Sequence, residues 1–374
     1  MNSGYLKIMF AGPVKGVISR FHKFIHHGQY PTFLLLNITE RCNCRCSMCQ
    51  IWKKKDLKEL SFEDFDRLFQ DPLWKDLRIL SLTGGEPFLR KDLKDILSSA
   101  SRRLTNLRRI SIPSNGILTS AIVETTKQIL SVIPQTIDFK IGISIDGDEV
   151  VHDRMRGVPG AYQKAVETIR RLRSLSSPHF EVGVLSLITE QNVNRLTDIH
   201  HLLRALTPSM TWTLATESDF FDNQNKEMIP RSPQTTKKII DFINRILIPC
   251  FPEKAYLYSK YKDHLIKKRR TYPCMAGYRS AYIDVEGNLL PCHYVEKQFC
   301  FGNFPESGES LEKIWFSKKA NDIRKRLQNH NYCRNCSNNC DFRNMIQEDF
   351  WNFLFYILSH PMTILKALLR KKPR

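Results

Sequence analysis

A short cysteine-rich loop constrains this chain more than any other feature. Cys42, Cys44, Cys46 and Cys49 lie within eight residues, directly after an apolar run. Thiolates this close in sequence can converge on one soft metal centre, because closing a short loop costs little entropy. Cys42, Cys46 and Cys49 alone would leave one corner of a four-iron cluster open, whereas a closed zinc site or a bacterial ferredoxin loop takes four ligands. With Cys44 included, the loop could instead hold zinc, which we rank second.

The composition is that of a soluble globular protein. The chain has 374 residues, 42% hydrophobic and 25% charged, which suits roughly two domains or one barrel with an appendage. Eleven cysteines without a signal-peptide pattern argue for metal binding in a reducing compartment, so we expect a cytoplasmic protein. The net charge of +19 attracts anions, but no nucleic-acid-binding motif accompanies it, which disfavours nucleic acid as a partner.

Between residues 32 and 215, apolar runs rich in β-branched residues alternate with helical patterns. This alternation predicts βα units and a parallel sheet. The predicted strands are residues 33–38, 78–82, 109–113, 139–145, 180–188 and 210–215. Ser61 and Asp64 predict a capping box at the start of the first intervening helix. Six strands are too few to close an eight-stranded barrel.

Several polar or glycine-rich groups follow these strands. In a parallel sheet, chemistry gathers at the carboxyl ends of the strands. The candidates are Gly84, Gly85 and Glu86 after the second strand, Asn115 after the third, Ser144 and Asp146 after the fourth, and Arg156 in the segment beyond. Each alone could be a turn or a helix cap. Glu217 and Asp219, beyond the sixth strand, could be a substrate-facing acid or base or a polar exit loop, so we assign no catalytic residue.

The Cys-x3-Cys-x2-Cys loop and the Gly-Gly-Glu-Pro segment together resemble the radical S-adenosylmethionine (SAM) superfamily. The resemblance implies an open (β/α)6 barrel of the TIM type. It also implies a 4Fe–4S cluster on Cys42, Cys46 and Cys49, with Cys44 as a non-ligand and SAM chelated by the fourth iron. One electron, from a low-potential donor such as flavodoxin or ferredoxin, would then cleave SAM to a 5′-deoxyadenosyl radical.

The resemblance also implies roles for the strand-end residues. Gly84, Gly85 and Glu86 would hold the methionine amino group of SAM. Asn115, Ser144 and Asp146 would contact its ribose and carboxylate groups. The guanidinium of Arg156 could pair with the same carboxylate through two hydrogen bonds.

A second cysteine set lies near the C-terminus. It comprises Cys274, Cys292, Cys300, Cys333, Cys336 and Cys340, with a predicted hairpin turn at Gly287-Asn288. The arrangement resembles the SPASM auxiliary-cluster domain or its shortened relative, called twitch. The resemblance implies one auxiliary 4Fe–4S cluster on Cys274, Cys292, Cys333 and Cys336. Cys340 could replace Cys336, and on spacing alone the set would also suit zinc.

Both ends of the chain combine apolar and basic residues. We divide the sequence into a basic amphipathic segment (1–31), the barrel (32–220), linker helices (221–272), a SPASM/twitch-like domain (273–345) and an apolar and basic tail (346–374). The tail is interrupted by Asn352, His360, Pro361 and Lys366 and is not expected to span a membrane. The two ends could pack on the barrel or lie on an anionic membrane, at its inner face.

The sequence therefore predicts a radical SAM oxidoreductase or maturase. It would abstract hydrogen from a substrate, and the auxiliary cluster would assist oxidation or crosslinking. The predicted substrate is a peptide or, alternatively, a sugar, cyclitol or lipid-linked glycan. From a different class of function, the alternative is a zinc-stabilised basic protein that binds nucleic acid or an anionic membrane.

Overall fold

One mixed sheet runs through the whole structure. The computed structural model describes residues 22–54, 58–175, 177–218, 220–221, 223, 228–295, 297–336, 346, 349–363 and 365. The strands are β1 (Phe33–Thr39), β2 (Ile79–Gly84), β3 (Arg109–Ser114), β4 (Asp138–Ser144), β5 (Phe180–Ile188), β6 (Met210–Leu214), β7 (Ser280–Ile283), β8 (Asn288–Leu290) and β9 (Gly302–Asn303). Their order in the sheet is β6-β5-β4-β3-β2-β1-β7-β8-β9.

Helices connect the parallel strands and continue beyond them. They are α1 (Phe62–Gln70), α2 (Leu93–Arg103), α3 (Thr119–Val132), α4 (Glu149–Arg156), α5 (Ala161–Arg173), α6 (Leu196–Leu206), α7 (Pro233–Phe242), α8 (Ala255–Lys267), α9 (Phe304–Ser307), α10 (Leu311–Trp315), α11 (Lys318–Gln328), α12 (Asn331–Asn335) and α13 (Phe350–Ser359). A π-helical turn, Ile243–Leu247, and a short helical turn, Ile248–Cys250, extend α7. Single 3-10 turns occupy Ile51–Lys53, Pro72–Asp76, Pro87–Leu89, Val193–Arg195, Pro252–Lys254 and Lys297–Phe299.

The six predicted strands are all present and pair in parallel. The fifth has the predicted bounds, and the others differ by one or two residues at their ends. The Ser61–Asp64 capping box is formed and starts α1. Six of the seven residues of β1 are buried and Leu35 is half-buried, as expected for a strand covered on both faces. The predicted α/β fold with a parallel six-stranded sheet is therefore confirmed.

The C-terminal hairpin belongs to the same sheet as the barrel strands. β7 pairs in parallel with β1, from Phe33 opposite Ser280 to Leu36 opposite Ile283, and β8 pairs antiparallel with β7. The predicted hairpin is present, but its turn covers residues 284–287 instead of Gly287-Asn288. The reason is Asp284, whose carboxylate accepts hydrogen bonds from the backbone of residues 286 and 288 and so closes a longer turn.

Helix α13 packs one face on the linker helices and exposes the other. Phe353 and Tyr356 stack edge-on against Tyr256 of α8. Trp351 and Phe355 are 61% and 74% exposed. Across the described ranges, every helix is too short or too polar to cross a membrane. Most of the predicted N-terminal segment, residues 1–21, and the basic end of the tail, residues 366–374, lie outside the described residues.

Candidate active site and auxiliary metal centre

The cysteine loop lines a cavity of about 310 Å³ at the carboxyl ends of the parallel strands. We call it the core cavity. The loop is fixed against the end of α4, because the backbone amides of Arg45 and Ser47 donate to the carbonyl groups of Arg156 and Met155, both at 2.9 Å. Cys42, Cys44, Cys46 and Cys49 line the cavity together with residues from the ends of β2 to β6. The local sequence thus brings the predicted ligands to the predicted edge of the sheet.

The four thiols of the loop have different environments. Cys44 is buried and hydrogen-bonds both Cys42 and Cys46, and these contacts together with burial raise its pKa. The hydrogen bond from Cys44, aided by nearby Arg156, lowers the pKa of Cys46 to about 6. Burial raises the pKa of Cys49 to about 12. Cys44 therefore lies beside the predicted ligands, and its position alone does not set it apart from them.

The donor chemistry of the loop fits an iron–sulfur cluster. Among the residues that the structure describes, no three or more His, Cys, Asp or Glu side chains surround one metal-ion position. A four-iron cluster does not require such convergence, because each thiolate binds a different iron. Cysteine thiolates are the usual protein ligands of these clusters.

Two consecutive glycines let the β2 loop pack tightly on the end of β1. Gly84 has a φ of +126°, and a Cβ there would lie 2.0 Å from the carbonyl oxygen of Thr39. A Cβ on Gly85 would lie 2.1 Å from the carbonyl oxygen of Arg41. The amide of Gly85 donates to Thr39 at 2.7 Å, and both glycines line the core cavity. A side chain at either position would displace the backbone from the cavity wall.

Glu86 joins the ends of β2 and β3. Its carboxylate accepts hydrogen bonds from the Asn115 amide at 2.7 Å, the Ser114 hydroxyl at 2.9 Å and the Phe88 amide at 3.3 Å. Burial raises the pKa of Glu86 to about 7 despite these donors. Asn115 lines the cavity, and its side-chain amide donates to Asn43 of the cysteine loop at 2.6 Å. Glu86 therefore supports the cavity wall that Asn115 forms.

Asp146 is paired with Arg156 behind the cavity wall. The fully buried Asp146 carboxylate accepts hydrogen bonds from the Arg156 guanidinium at 2.6 Å and from the Leu187 amide at 2.9 Å. Another nitrogen of Arg156 lies 3.8 Å from the sulfur of Cys46. Ser144 and Arg156 line the cavity, whereas Asp146 is not among its lining residues. Asp146 thus orients Arg156 towards the cysteine loop.

A cavity of about 690 Å³ adjoins the second cysteine set, and we call it the auxiliary cavity. Cys274, Cys292, Cys333 and Cys336 all line it. Burial raises the pKa of Cys333 to about 12, and the other three thiols of the set add to the rise. The structure therefore brings together the four thiols predicted to bind the auxiliary cluster.

The other cysteines of this region lie elsewhere. Cys300 is not among the lining residues, and its thiol donates to the carbonyl of Gly302 at 3.3 Å. Cys340 lies outside the described residues. The cations that line the auxiliary cavity are Lys23, Arg269, Arg270, Arg324 and Arg334, and no carboxylate is among its described lining residues. A set of four thiols facing cations fits an anionic iron–sulfur cluster.

Tyr294 lines both cavities, which the sequence did not predict. Its backbone amide donates to the sulfur of Cys292 at 3.4 Å. A third cavity, of about 530 Å³, shares Thr216 and Ile229 with the core cavity and Cys336 with the auxiliary cavity. The only sequence signal for Tyr294 was its position two residues after Cys292, a predicted ligand. The two cysteine sites are therefore neighbours across a shared wall.

The predicted acid or base candidates beyond β6 are only partly described. Glu217 lines the third cavity and forms an ion pair with Arg231. Asp219 lies outside the described residues. The structure thus brings Glu217 near the core cavity with its charge balanced by an arginine.

Two family descriptions match the sequence. Residues 36–203 match the radical SAM superfamily, and residues 274–341 match SPASM, an iron–sulfur cluster-binding domain. The first domain implies a 4Fe–4S cluster and SAM, and the second implies auxiliary iron–sulfur clusters. The cofactor classes predicted from the sequence are therefore confirmed.

Curated relatives and solved structures agree with these matches. The chain is 24% identical to the subtilosin biosynthesis protein AlbA of Bacillus subtilis, over 76% of this chain and 61% of AlbA. It is 25% identical to the sporulation killing factor maturation protein SkfB of the same organism, over 70% of this chain and 60% of SkfB. It thus spans about 60% of the length of these two relatives.

A solved structure shares the fold. Native anSMEcpe with bound AdoMet and Kp18Cys peptide has a TM-score of 0.59 at 14% identity, covering 90% of this chain and 99% of that one. This similarity shows the fold, and the two domain matches identify the family. The chain belongs to the radical SAM superfamily and carries a C-terminal SPASM domain.

Proposed function

We propose that this protein cleaves SAM in the core cavity and abstracts hydrogen from a peptide, which is then oxidised or crosslinked beside the auxiliary cavity. The observation that carries the proposal is that the two cavities share Tyr294 and both border the third cavity. A substrate seated there would reach both cysteine sites. When bound, the clusters supply the electron transfer that amino-acid side chains cannot.

In this proposal, Cys42, Cys46 and Cys49 hold the core cluster, and Cys44 is not a ligand. The support is the three-thiol spacing and the common cavity. Cys274, Cys292, Cys333 and Cys336 would hold the auxiliary cluster, supported by their common cavity and its lining cations. We also propose that the barrel ends at about residue 220 and that the SPASM/twitch-like domain begins at about residue 273.

The proposed SAM contacts use the wall of the core cavity. The backbone at Gly84 and Gly85 would approach the methionine amino group, with Glu86 holding this loop in position. Asn115 and Ser144, which line the cavity, would contact polar groups of SAM. Arg156, oriented by Asp146, would pair with the SAM carboxylate.

A peptide is the substrate class that the relatives favour. AlbA and SkfB are named for the biosynthesis of a bacteriocin and the maturation of a killing factor, and anSMEcpe has been solved with a peptide. A sugar, cyclitol or lipid-linked glycan is the second candidate class. The family matches disfavour the zinc-stabilised binding protein.

Two further partners belong to the proposal. A low-potential electron donor, such as flavodoxin or ferredoxin, would be required for SAM cleavage. Peripheral contact with an anionic membrane, on the cytoplasmic side, is supported by the exposed apolar side chains of α13 and the basic residues that follow it.

The proposal can be tested with anaerobically purified and iron-loaded protein. It would be incubated with dithionite, SAM and a synthetic peptide encoded beside its gene, and 5′-deoxyadenosine and peptide mass would be measured. We expect 5′-deoxyadenosine together with a peptide that has lost a pair of hydrogens, and neither product from Cys42→Ala. Turnover of a sugar or glycan, with the peptide unchanged, would replace the peptide by the second substrate class.

A further inference from the structure

Arg270 lies against two of the four thiols proposed to bind the auxiliary cluster. It follows α8 by three residues and lines the auxiliary cavity. Its guanidinium hydrogen-bonds Cys274 and Cys336. Its backbone amide donates to the carbonyl of Arg334 at 2.7 Å. One residue therefore connects the linker helices to cysteines that are far apart in sequence.

The position of this guanidinium is well defined. Its central carbon lies 5.0 Å from the ring centre of Tyr272, which is buried. This distance lies within the range of a cation–π contact, which restricts the movement of the guanidinium. The planar fork can then donate to two sulfur atoms at once, which a lysine ammonium on a flexible stem does less well.

The influence of Arg270 on the four thiols is uneven. Its guanidinium hydrogen-bonds Cys274 and Cys336, whereas Cys292 and Cys333 complete the lining of the same cavity. Arg270 thus stabilises negative charge on one side of the predicted ligand set.

The other cations of the cavity have different surroundings. Arg324 is fully buried and donates to the carbonyl groups of Gly277 and Trp315 and to the side chain of Asn321. Arg269 is exposed to solvent, where water and salt screen its charge. Arg269 is therefore a suitable control, since it precedes Arg270 directly and lines the same cavity.

We propose that Arg270 is a positioning residue that holds Cys274 and Cys336 in place and raises the reduction potential of the auxiliary cluster. Net charge and hydrogen bonds to sulfur set the potentials of such clusters. A positive group close to the thiolates stabilises the reduced state, which carries one more electron, more than the oxidised state. This inference rests on the auxiliary ligand set of the proposed function, but it does not depend on the substrate.

The test is a redox titration of the iron-loaded full-length protein, followed by electron paramagnetic resonance. The auxiliary signal is the one that does not change when SAM is added. We expect Arg270→Gln to shift its midpoint to a more negative potential, Arg270→Lys to shift it less, and Arg269→Gln to leave it unchanged. If Arg270→Gln fails to retain the cluster, Arg270→Lys decides the question.

Three results would overturn the inference. Unchanged midpoints in the Arg270 variants would exclude tuning by this residue. An equal shift in Arg269→Gln would mean that any nearby cation has the same effect. Absence of every SAM-independent signal would overturn both this inference and the auxiliary ligand set, whereas inactivity towards peptides would affect the proposed function alone.

Discussion

The core cavity and the auxiliary cavity are each lined by four thiols, yet their charged groups differ. Buried Glu86 and Asp146 support the core cavity, together with Arg156. The auxiliary cavity is lined by five cations and, among the described residues, by no carboxylate. SAM carries an amino group, a carboxylate and a sulfonium, so a site for it needs groups of both signs. A cluster held by four thiolates is anionic and needs only cations.

The walls of the two cavities are also built from different kinds of structural element. The core cavity gathers residues from the ends of β2 to β6, whose backbones are fixed by the parallel sheet. The auxiliary cavity is built from the end of the linker, the segment after the β7–β8 hairpin and the short helix α12. Sheet ends fix individual side chains closely, whereas connecting segments depend more on the group that they bind.

The largest effect is expected at the core thiols. Cys42→Ala, Cys46→Ala and Cys49→Ala should each reduce SAM cleavage to background, because a cluster lacking one protein thiolate no longer presents its open iron. Cys44→Ala is the control and should retain cleavage, measured as 5′-deoxyadenosine formed with dithionite. Loss of activity in Cys44→Ala with activity kept in Cys42→Ala would reverse the ligand assignment.

The second prediction concerns the iron that each of the two sites binds. The triple variant Cys42/Cys46/Cys49→Ala should keep roughly four irons per chain of the about eight expected for two clusters. We expect this because the auxiliary thiols line a different cavity from the core thiols. Iron and zinc analysis of the anaerobically purified variant measures this. Near-zero iron would show that the second cysteine set binds zinc or no metal.

The third effect concerns the glycines of the core cavity. Gly84→Ala adds a Cβ that would meet a backbone oxygen at 2.0 Å, so it should lower both stability and SAM affinity. Gly160→Ala is the matched control, since its φ is also positive, at +75°, but nothing lies within 4 Å of the added Cβ. Strain alone should cost the control about 1 kcal/mol in denaturant unfolding. Equal losses in both variants would argue against close packing at Gly84.

The fourth effect tests the buried carboxyl group of the core. Folding raises the pKa of Glu86 from 4.5 to about 7 by burial, so the folded state binds the proton more tightly than the unfolded state. Glu86 therefore lowers stability progressively as pH rises from about 4.5 to about 7, by roughly 3 kcal/mol in total. Glu86→Gln cannot ionise and should gain stability relative to the wild type over this window. A pH-independent difference between the two unfolding free energies would contradict this.

The smallest effect lies outside both cavities. Trp351, Phe355 and Leu358 expose apolar surface on α13, and replacing them by Ser should weaken binding to anionic liposomes. Ile266→Ser on α8 is the control, because Ile266 is 60% exposed but lies on another helix. SAM cleavage should be retained in all variants. Equal recovery of wild type and variants in the unbound fraction would exclude membrane contact through α13.

Local patterns in the sequence were sufficient for much of this architecture. The alternation of apolar runs and helical periodicity located β1 to β6 within one or two residues, and residues 61 and 64 predicted the cap of α1. The spacing of Cys42, Cys46 and Cys49 and the two glycines at the end of β2 indicated the family. These features arise between residues close in sequence, so periodicity and spacing encode them.

The hairpin was predicted, but its surroundings were not. The alternation around Gly287 indicated two strands, whereas the pairing of β7 with β1 joins residues 247 positions apart and extends the barrel sheet. Complementary edges and packing in three dimensions select such pairings, and a single sequence carries no local signal for them. The turn itself was misplaced because the side-chain bonds of Asp284 close a longer connection.

The sequence by itself indicated which thiols and strand-end residues line the two cavities, because spacing along the chain groups cysteines in one loop and locates polar residues at strand ends. Only the tertiary structure decided that Asp146 is paired with Arg156, that Tyr294 lines both cavities and that Arg270 lies against Cys274 and Cys336. Each of these contacts depends on the directions of side chains on elements that meet only after the sheet has formed.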